Sequence, residues 1–360
     1  IKHNYPHCWR DDAPLIYRSI STWFVRIDKI KEDMLNANSE INWVPDHIKD
    51  GRFGKWLENA RDWAVSRNRY WGTPLPIWRN SETGETLCFG SVKELEDASG
   101  KKITDLHKHL VDEIELPSEK KQGANLRRVP QVLDCWFESG AMPYAQQHYP
   151  FRNKEHFEAN FPAEFIAEGL DQTRGWFYTL VVLGAALFKK PSFRNVVVNG
   201  LVLAEDGQKM SKRKKNYPDP TQIFERYGAD SMRLFMLGSP VVRAEDLKFS
   251  ENGIKEVMRS VLIPVWNAYS FLVTYANLDG WEPDEKPAPP TKPENPLDRW
   301  ILSSLSEMTV EIREHMDYYR LQPAACRFEK FIDDLTNWYI RRSRRRFWKS
   351  QNDQDKNDAY

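Results

Sequence analysis

The feature that most constrains the fold is an apolar, helix-length run, Phe177 to Phe188, set between two β-type runs. Phe165-Ile166-Ala167 precedes it, and Val196-Val197-Val198-Asn199-Gly200-Leu201-Val202-Leu203 follows. Strand, helix, strand in that order predicts a right-handed parallel unit, because parallel neighbours need a long crossover and the twisted sheet accepts one hand. A membrane helix needs about 18 or more apolar residues, so the shorter run is expected to be a buried helix of an α/β domain. Open α/β sheets bind ligands beyond the carboxyl ends of their strands. The stretches to inspect are therefore Glu168 to Gln172 and Ala204 to Lys215.

Around this unit the pattern varies. Lys55 to Ser66 reads as a helix, feeding a turn and strand at Trp71 to Trp78 in which Pro74 and Pro76 bar a central ladder position. From Arg79 to Arg128 the chain turns polar, and Lys93 to Lys108 is dense in charge, which suggests a surface insertion without chemistry. After Pro220 the period is helical, at Thr221 to Tyr227 and Ala229 to Leu237. A Pro-rich linker, Pro283 to Pro296, precedes an amphipathic helix pair. Its first helix, Leu297 to His315, sets Leu297, Trp300, Ile301 and Leu305 on one face, and its second runs from Pro323 to Ser350. The expected organisation is a catalytic half at 1–215 with a polar insertion at about 79–130, a helical connection at 216–250 and a helical domain at 251–360.

Lys plus Arg and Asp plus Glu are balanced at 52 each, so affinity for nucleic acid must come from local basic patches rather than an overall field. The cysteines Cys8, Cys88, Cys135 and Cys326 are too scattered for a disulfide framework, which favours a reducing, cytoplasmic setting, and no membrane partner is expected. The chain starts without an initiator Met or a signal sequence, and both ends read as cuts in a longer polypeptide. His3, His7 and Cys8 are close together, but Cys8-Trp9-Arg10-Asp11 offers a carboxylate where a zinc knuckle places a second thiolate. No firmly bound zinc is expected.

Four segments carry candidate chemistry. In Asp206-Gly207-Gln208-Lys209-Met210-Ser211-Lys212-Arg213 a Gly turn with two spaced lysines follows a strand. It suits a phosphate chain, since ammonium groups neutralise charge developing at phosphorus; a solvated charge run is the plain alternative. In Glu168-Gly169-Leu170-Asp171-Gln172-Thr173-Arg174-Gly175-Trp176-Phe177 a strand becomes a helix. There Gly169 permits close approach of a ligand, and Asp171 either accepts from a ribose hydroxyl or caps the helix. In Asp134-Cys135-Trp136-Phe137-Glu138-Ser139-Gly140 aromatic walls would suit an aliphatic side chain, or simply pack. Last, Asn337 to Lys349 gathers Arg341, Arg342, Arg344, Arg345 and Arg346 with aromatics on one predicted helix, either for RNA or for salt bridges to neighbouring helices.

Taken in order, these segments resemble the second half of a class I aminoacyl-tRNA synthetase. Lys209-Met210-Ser211-Lys212-Arg213 is similar to the family's KMSKS loop with Arg213 for the final Ser, and Gly228-Ala229-Asp230-Ser231-Met232-Arg233 resembles the helix after it. Asn68-Arg69-Tyr70-Trp71-Gly72-Thr73-Pro74, together with the Trp136 and Trp176 segments, is similar to the isoleucyl branch, of the eukaryotic cytosolic kind. The resemblance implies a Rossmann-like catalytic half followed by a helical anticodon-binding domain. It implies Trp136 and Trp176 flanking isoleucine, Asp171 on the adenosine ribose, and Glu168, Gly169 and Gln172 at the aminoacyl-adenylate. Lys209, Met210, Ser211 and Lys212 would hold ATP, with Lys209 and Lys212 on its phosphates and Mg²⁺ accompanying the nucleotide. The implied reaction forms isoleucyl-adenylate and passes it to tRNA(Ile), with a multisynthetase complex as a further partner of the parent protein. The family's His-x-Gly-His tetrapeptide does not occur in this sequence, so the chain alone is expected to be inactive. Competing readings are a tRNA-binding fragment without catalysis, and the same chemistry on valine or leucine.

Overall fold

Strand Phe193–Asn199, with Val196, Val197 and Val198 all at 1% exposure or less, is the middle strand of a three-stranded sheet. Burial on both faces is what an uninterrupted apolar run encodes. Its neighbours are Ala163–Gly169 and, paired parallel, Asn42–Val44. The computed structural model describes residues 3–8, 11–211, 214–283, 293–348 and 353–360. The strand ends at Asn199 and not at Leu203 as expected. Gly200 N–H donates to Val241 O at 2.7 Å, and a Cβ on Gly200 would stand 1.9 Å from Glu245 O. Another segment presses on the chain there, and Val202–Leu203 pairs instead, in parallel, with Leu247–Lys248.

The chain divides into two compact units that interleave in sequence. One comprises Ile1–Glu40, Phe53–Ala163 and Thr173–Ser192. Its centre is the expected buried helix, Trp176–Phe188, which packs on helices Lys31–Glu40 and Cys135–Ala145. A Cβ on Gly140 would meet Thr179 and Leu183 at 3.0 Å, so a residue without a side chain sets that helix spacing. At the far end, Tyr144, Tyr149, Phe157 and Phe161 surround Phe188 with ring centroids 4.8 to 6.0 Å away.

The expected helix Lys55 to Ser66 is cut short. Helix Gly54–Glu58 stops at Asn59, and Asp62 turns to accept from Ile27 N–H at 3.0 Å. Trp63–Ala64 then pairs with Phe24–Val25, and Ser66–Arg67 with Val132–Leu133, so distant strand partners override local helix preference.

The polar stretch is a folded subdomain with its own core. Strands Ile77–Arg79, Thr86–Cys88, Glu115–Pro117 and Asn125–Arg128 form a four-stranded antiparallel sheet, with Ile77–Arg79 and Asn125–Arg128 in the middle. Pro74 and Pro76 fall just ahead of it. Trp78, Leu95, Val111, Ile114, Leu116 and Leu126 are buried together, and the Trp78 indole N–H donates to Ile114 O at 2.7 Å. Helix Val92–Ser99 is capped by Ser91, whose hydroxyl accepts from Glu94 N–H.

Glu85 braces this subdomain. Its carboxylate accepts from the Ser118 hydroxyl at 2.5 Å and from the Glu119 and Lys120 amides at 3.2 and 3.4 Å. The Ser118 bond, with those amides, holds its pKa below the usual carboxylate value. A lowered pKa stabilises above the unfolded value, and that stability is lost as pH falls through the folded one. Protection of the Glu119 and Lys120 amides against exchange is therefore expected to drop on acidification in the native chain but to be pH-independent, and low throughout, in Glu85→Ala.

The other unit comprises Ile41–Arg52, Glu164–Gln172 and Phe193–Tyr360. Helices Pro220–Tyr227 and Ala229–Leu237 lie where the period placed them, the first capped by Asp219. Helix Pro296–Asp317 packs on Leu321–Asp333, and the helical path continues through Asp334–Ile340 to Arg341–Trp348. Ile301 and Met308 pack with Val261, Phe331 and Ile332. The expected face is thus only partly right: Trp300 and Leu305 are 36% and 40% exposed, and Asp298 is turned inward. Most of the expected linker, residues 284–292, lies outside the described residues. Among the described residues no helix is long and apolar enough to cross a membrane.

Candidate active site

Trp136 sits in the first turn of helix Cys135–Ala145 because Asp134 caps that helix, accepting from Trp136 N–H at 3.3 Å. Asp134 is itself fixed by Arg67 at 2.7 Å. Glu138, a turn later, accepts from Thr73 N–H at 3.1 Å, and Trp136 stays 40% exposed. Trp176 begins the buried helix, and its indole N–H donates to Ser139 O at 3.0 Å. The helix carrying Trp136 is thus tied to Trp176 by a hydrogen bond, and Trp136 keeps open surface beside it. Phe137 turns the other way and packs on Trp63 at 5.9 Å.

Glu168 and Gly169 end the edge strand, and Asp171 and Gln172 lie in the tight turn Leu170–Arg174. Gly175, not Asp171, precedes helix Trp176–Phe188, so the capping alternative for Asp171 does not hold. The exposed Asp171 carboxylate accepts from Gln172 Nε2 at 3.1 Å, and its Oδ1 lies 2.7 Å from where a Cβ on Gly169 would stand. Any side chain at 169 would push the carboxylate away. With Gly there, the carboxylate rests close over the end of the strand as an exposed acceptor.

The lysine loop is a short hairpin. Leu203 and Lys209 face each other in an antiparallel bridge, Ala204 N–H donates to Gln208 O at 2.9 Å, and Gly207 takes φ 78° at the tip. That φ favours glycine, and the Lys248 stem lies 3.2 Å from the position of a Cβ there. Met210 packs against the core of Ile223, Phe249 and Ile254, so its side chain anchors the loop and does not reach outward. Asn216 clasps both sides, accepting from Ser211 N–H at 3.0 Å and donating to Lys209 O at 3.2 Å. Lys209 is left exposed on this frame, and Lys214 donates to Gln208 at 2.7 Å. Lys212 and Arg213 lie outside the described residues. The sequence alone did not single out Asn216 or Lys248; the one hint was an Asn nine residues past the Gly207 turn.

On the last long helical path Arg341, Arg342, Arg344 and Arg345 are exposed, and the Arg342 guanidinium stacks 4.7 Å from the Trp338 ring centroid. Arg346 is different. It is buried and doubly bonded to Asp298 at 2.6 and 2.8 Å, with Asp355 at 2.8 Å, so it is not available to RNA and is withdrawn from the expected contact set.

Over residues 10–248 the chain matches the family described as tRNA synthetases class I (I, L, M and V), and over residues 298–360 the anticodon-binding domain of tRNA ligases. The chain belongs to the class I tRNA synthetases, with a catalytic α/β part followed by a helical anticodon-binding domain. Within the class, its curated relatives carry the name isoleucine–tRNA ligase. That of Treponema denticola is 59% identical over 370 residues, spanning 100% of this chain and 34% of the relative. That of Chlamydia trachomatis serovar D is 58% identical over 360 residues, with the same coverage. The chain spans about a third of the length of these relatives. They are bacterial, and the eukaryotic cytosolic kinship expected from the sequence finds no support in them. In fold, the chain is similar to Mycobacterium tuberculosis methionyl-tRNA synthetase in complex with methionyl-adenylate, with TM-score 0.65 and 17% identity over 99% of this chain and 59% of that one. It is also similar to the Agrobacterium radiobacter K84 LeuRS–tRNA–LeuAMS complex, with TM-score 0.57 and 18% identity over 83% of this chain and 40% of that one.

Proposed function

We propose that the chain is the second half of the catalytic domain, with the start of the anticodon-binding domain, of an isoleucine–tRNA ligase. Identity of 59% across the whole chain to a ligase of that name carries this reading. The full protein activates isoleucine with ATP to isoleucyl-adenylate and transfers it to tRNA(Ile) in the cytoplasm. Trp136 and Trp176 flank the aliphatic side chain; Asp171 takes the ribose; Glu168, Gly169 and Gln172 line the adenylate. Lys209 and Lys212 stabilise the ATP phosphates on a loop held by Met210 and Ser211, with Mg²⁺ bound mainly through the phosphates. Arg341, Arg342, Arg344 and Arg345 contact tRNA. The divisions at 215 and 250 separate the catalytic half, the connection and the anticodon-binding part.

Pyrophosphate exchange by the full-length protein with isoleucine, valine and leucine tests this. Isoleucine is expected to be preferred over valine by about 10- to 200-fold, the general worth of one methylene, for which this amino-acid pair in enzymes of this kind is the standard illustration. A preference for valine or leucine overturns the assignment. The 360-residue chain, whose sequence has no His-x-Gly-His, is expected to show no exchange.

A further inference from the structure

Among the described residues the Trp136 indole makes no hydrogen bond, and the residue is 40% exposed. Its place therefore follows the helical turn that carries it, and that turn hangs on Asp134. The Asp134 side chain is 5% exposed. One of its carboxylate oxygens accepts from Trp136 N–H at 3.3 Å and from the Cys135 thiol at 3.7 Å. The other accepts from Arg67 Nη2 at 2.7 Å and from the Trp63 indole N–H at 3.4 Å. Arg67 is its one ion-pair partner among the described residues.

Arg67 reaches that carboxylate from a fixed base. Its Nη1 donates to Ala64 O at 2.8 Å and to Ser66 O at 2.9 Å. Its strand pairs with Val132–Leu133, and Asp134 N–H donates to Val65 O at 2.7 Å. One guanidinium thus joins two carbonyls of the strand to the cap of the helix. Further along the helix, Phe137 on Trp63 and the Trp176 bond to Ser139 O hold the same turn, and Gly140 leaves it little slack, since even a Cβ there would meet Thr179 and Leu183 at 3.0 Å.

We infer that Arg67 is a positioning residue for amino-acid selection: through Asp134 it sets the place of Trp136, and with it the size of aliphatic side chain the site accepts. The inference rests on the proposed role of Trp136 beside the substrate. Isoleucine and valine differ by one methylene, and an apolar wall resolves that difference only if it yields by less than the group's own size. Arg67 acts through Asp134 and Trp136, so its loss loosens the wall and leaves the chemical step in place. Lysine at 67 would keep a charge for Asp134 but not the planar fork that spans carbonyls and carboxylate together. Asparagine at 134 would keep a capping side chain and give up the ion pair.

The test is pyrophosphate exchange by the full-length protein with isoleucine and with valine, each over a range of concentrations. Arg67→Ala is expected to raise the KM for isoleucine about tenfold with kcat within about threefold, and to raise that for valine less, so that the preference for isoleucine shrinks about fivefold. Arg67→Lys should recover part of the preference, and Asp134→Asn should repeat the alanine result. Arg127→Ala breaks an exposed pair with Glu115 and should change neither constant. A role in folding alone would lower the melting temperature and the amount of active enzyme, so that kcat fell with KM and preference intact; that result overturns the inference. So does a native preference in both Arg67→Lys and Asp134→Asn, whatever the alanine variant does. Trp136→Ala separates the two readings. If it leaves the KM for isoleucine unchanged, the role of Trp136 and the inference fall together, whereas a raised KM there with native behaviour in Arg67→Ala removes the inference alone.

Discussion

Arg346→Ala is expected to destabilise the helical end of the chain by about 3 to 5 kcal/mol, the cost of leaving one member of a buried ion pair alone. The Arg346 side chain is 10% exposed and that of Asp298 4%. Two parallel bonds of 2.6 and 2.8 Å join them, Tyr339 O–H donates to the same carboxylate at 2.8 Å, and Asp355 adds both its carbonyl and its carboxylate. Burial opposes the guanidinium charge, but the hydrogen bonds to Asp298 and Asp355 outweigh it and hold the Arg346 pKa above its usual value. Burial, with Asp298 beside it, likewise pushes the Tyr339 phenol up. Removing Arg346 strands Asp298 with one neutral donor. Arg344→Ala and Arg345→Ala, on the exposed side, should stay within about 0.5 kcal/mol. Amide-exchange protection in helix Pro296–Asp317, followed against urea, distinguishes these. Replacing both partners, Arg346→Met with Asp298→Leu, should restore much of the loss, because it removes the stranded charge. If Arg346→Ala weakened tRNA binding while leaving exchange protection intact, the structural role would be wrong.

The position of Arg346 shows how far the sequence could be read. Five arginines on one helix announce a basic strip, but not which of them turns inward. The phase was nonetheless present: Ser343, Arg346 and Phe347 are spaced like one buried helical face, and all three are buried. The central strand was legible because Val196 to Val198 are apolar on both faces. Its end at Asn199 was not, since it depends on Val241 and Glu245, some forty residues later. The same holds for Trp63–Ala64 and Ser66–Arg67, which became strands because of partners at Phe24–Val25 and Val132–Leu133. In the insertion, Trp78 and a few isolated aliphatics form a core that average polarity conceals. At the site, residue types at Gly169, Asp171 and Lys209 pointed to a ligand surface, while the supports, Asn216 for the loop and Ser139 for Trp176, came only with the fold.

Those supports shape what removal of Lys209 should do in the full-length protein. Lys209 is exposed, yet its backbone is held by the bridge to Leu203 and by Asn216, and Met210 beside it is half-buried against the core. On the proposed reading, a lysine whose backbone is held in this way is poised to meet the negative charge that builds up on the leaving pyrophosphate, and would then act mainly in the transition state. Lys209→Ala is therefore expected to slow isoleucine-dependent pyrophosphate exchange by about 10²- to 10³-fold, with most of the loss in kcat and little in the KM for ATP. Lys209→Arg keeps the charge on a longer, planar head and should recover part of the rate. Lys214→Ala, whose ammonium is spent on Gln208, should change the rate by less than about threefold. Met210→Ala should act through the loop, lowering the rate and raising proteolytic cleavage between Gly207 and Asn216, because the anchor is lost while the charge remains. A rise in the KM for ATP at unchanged kcat in Lys209→Ala would mean that the lysine grips ground-state ATP and that the transition-state role belongs elsewhere on the loop.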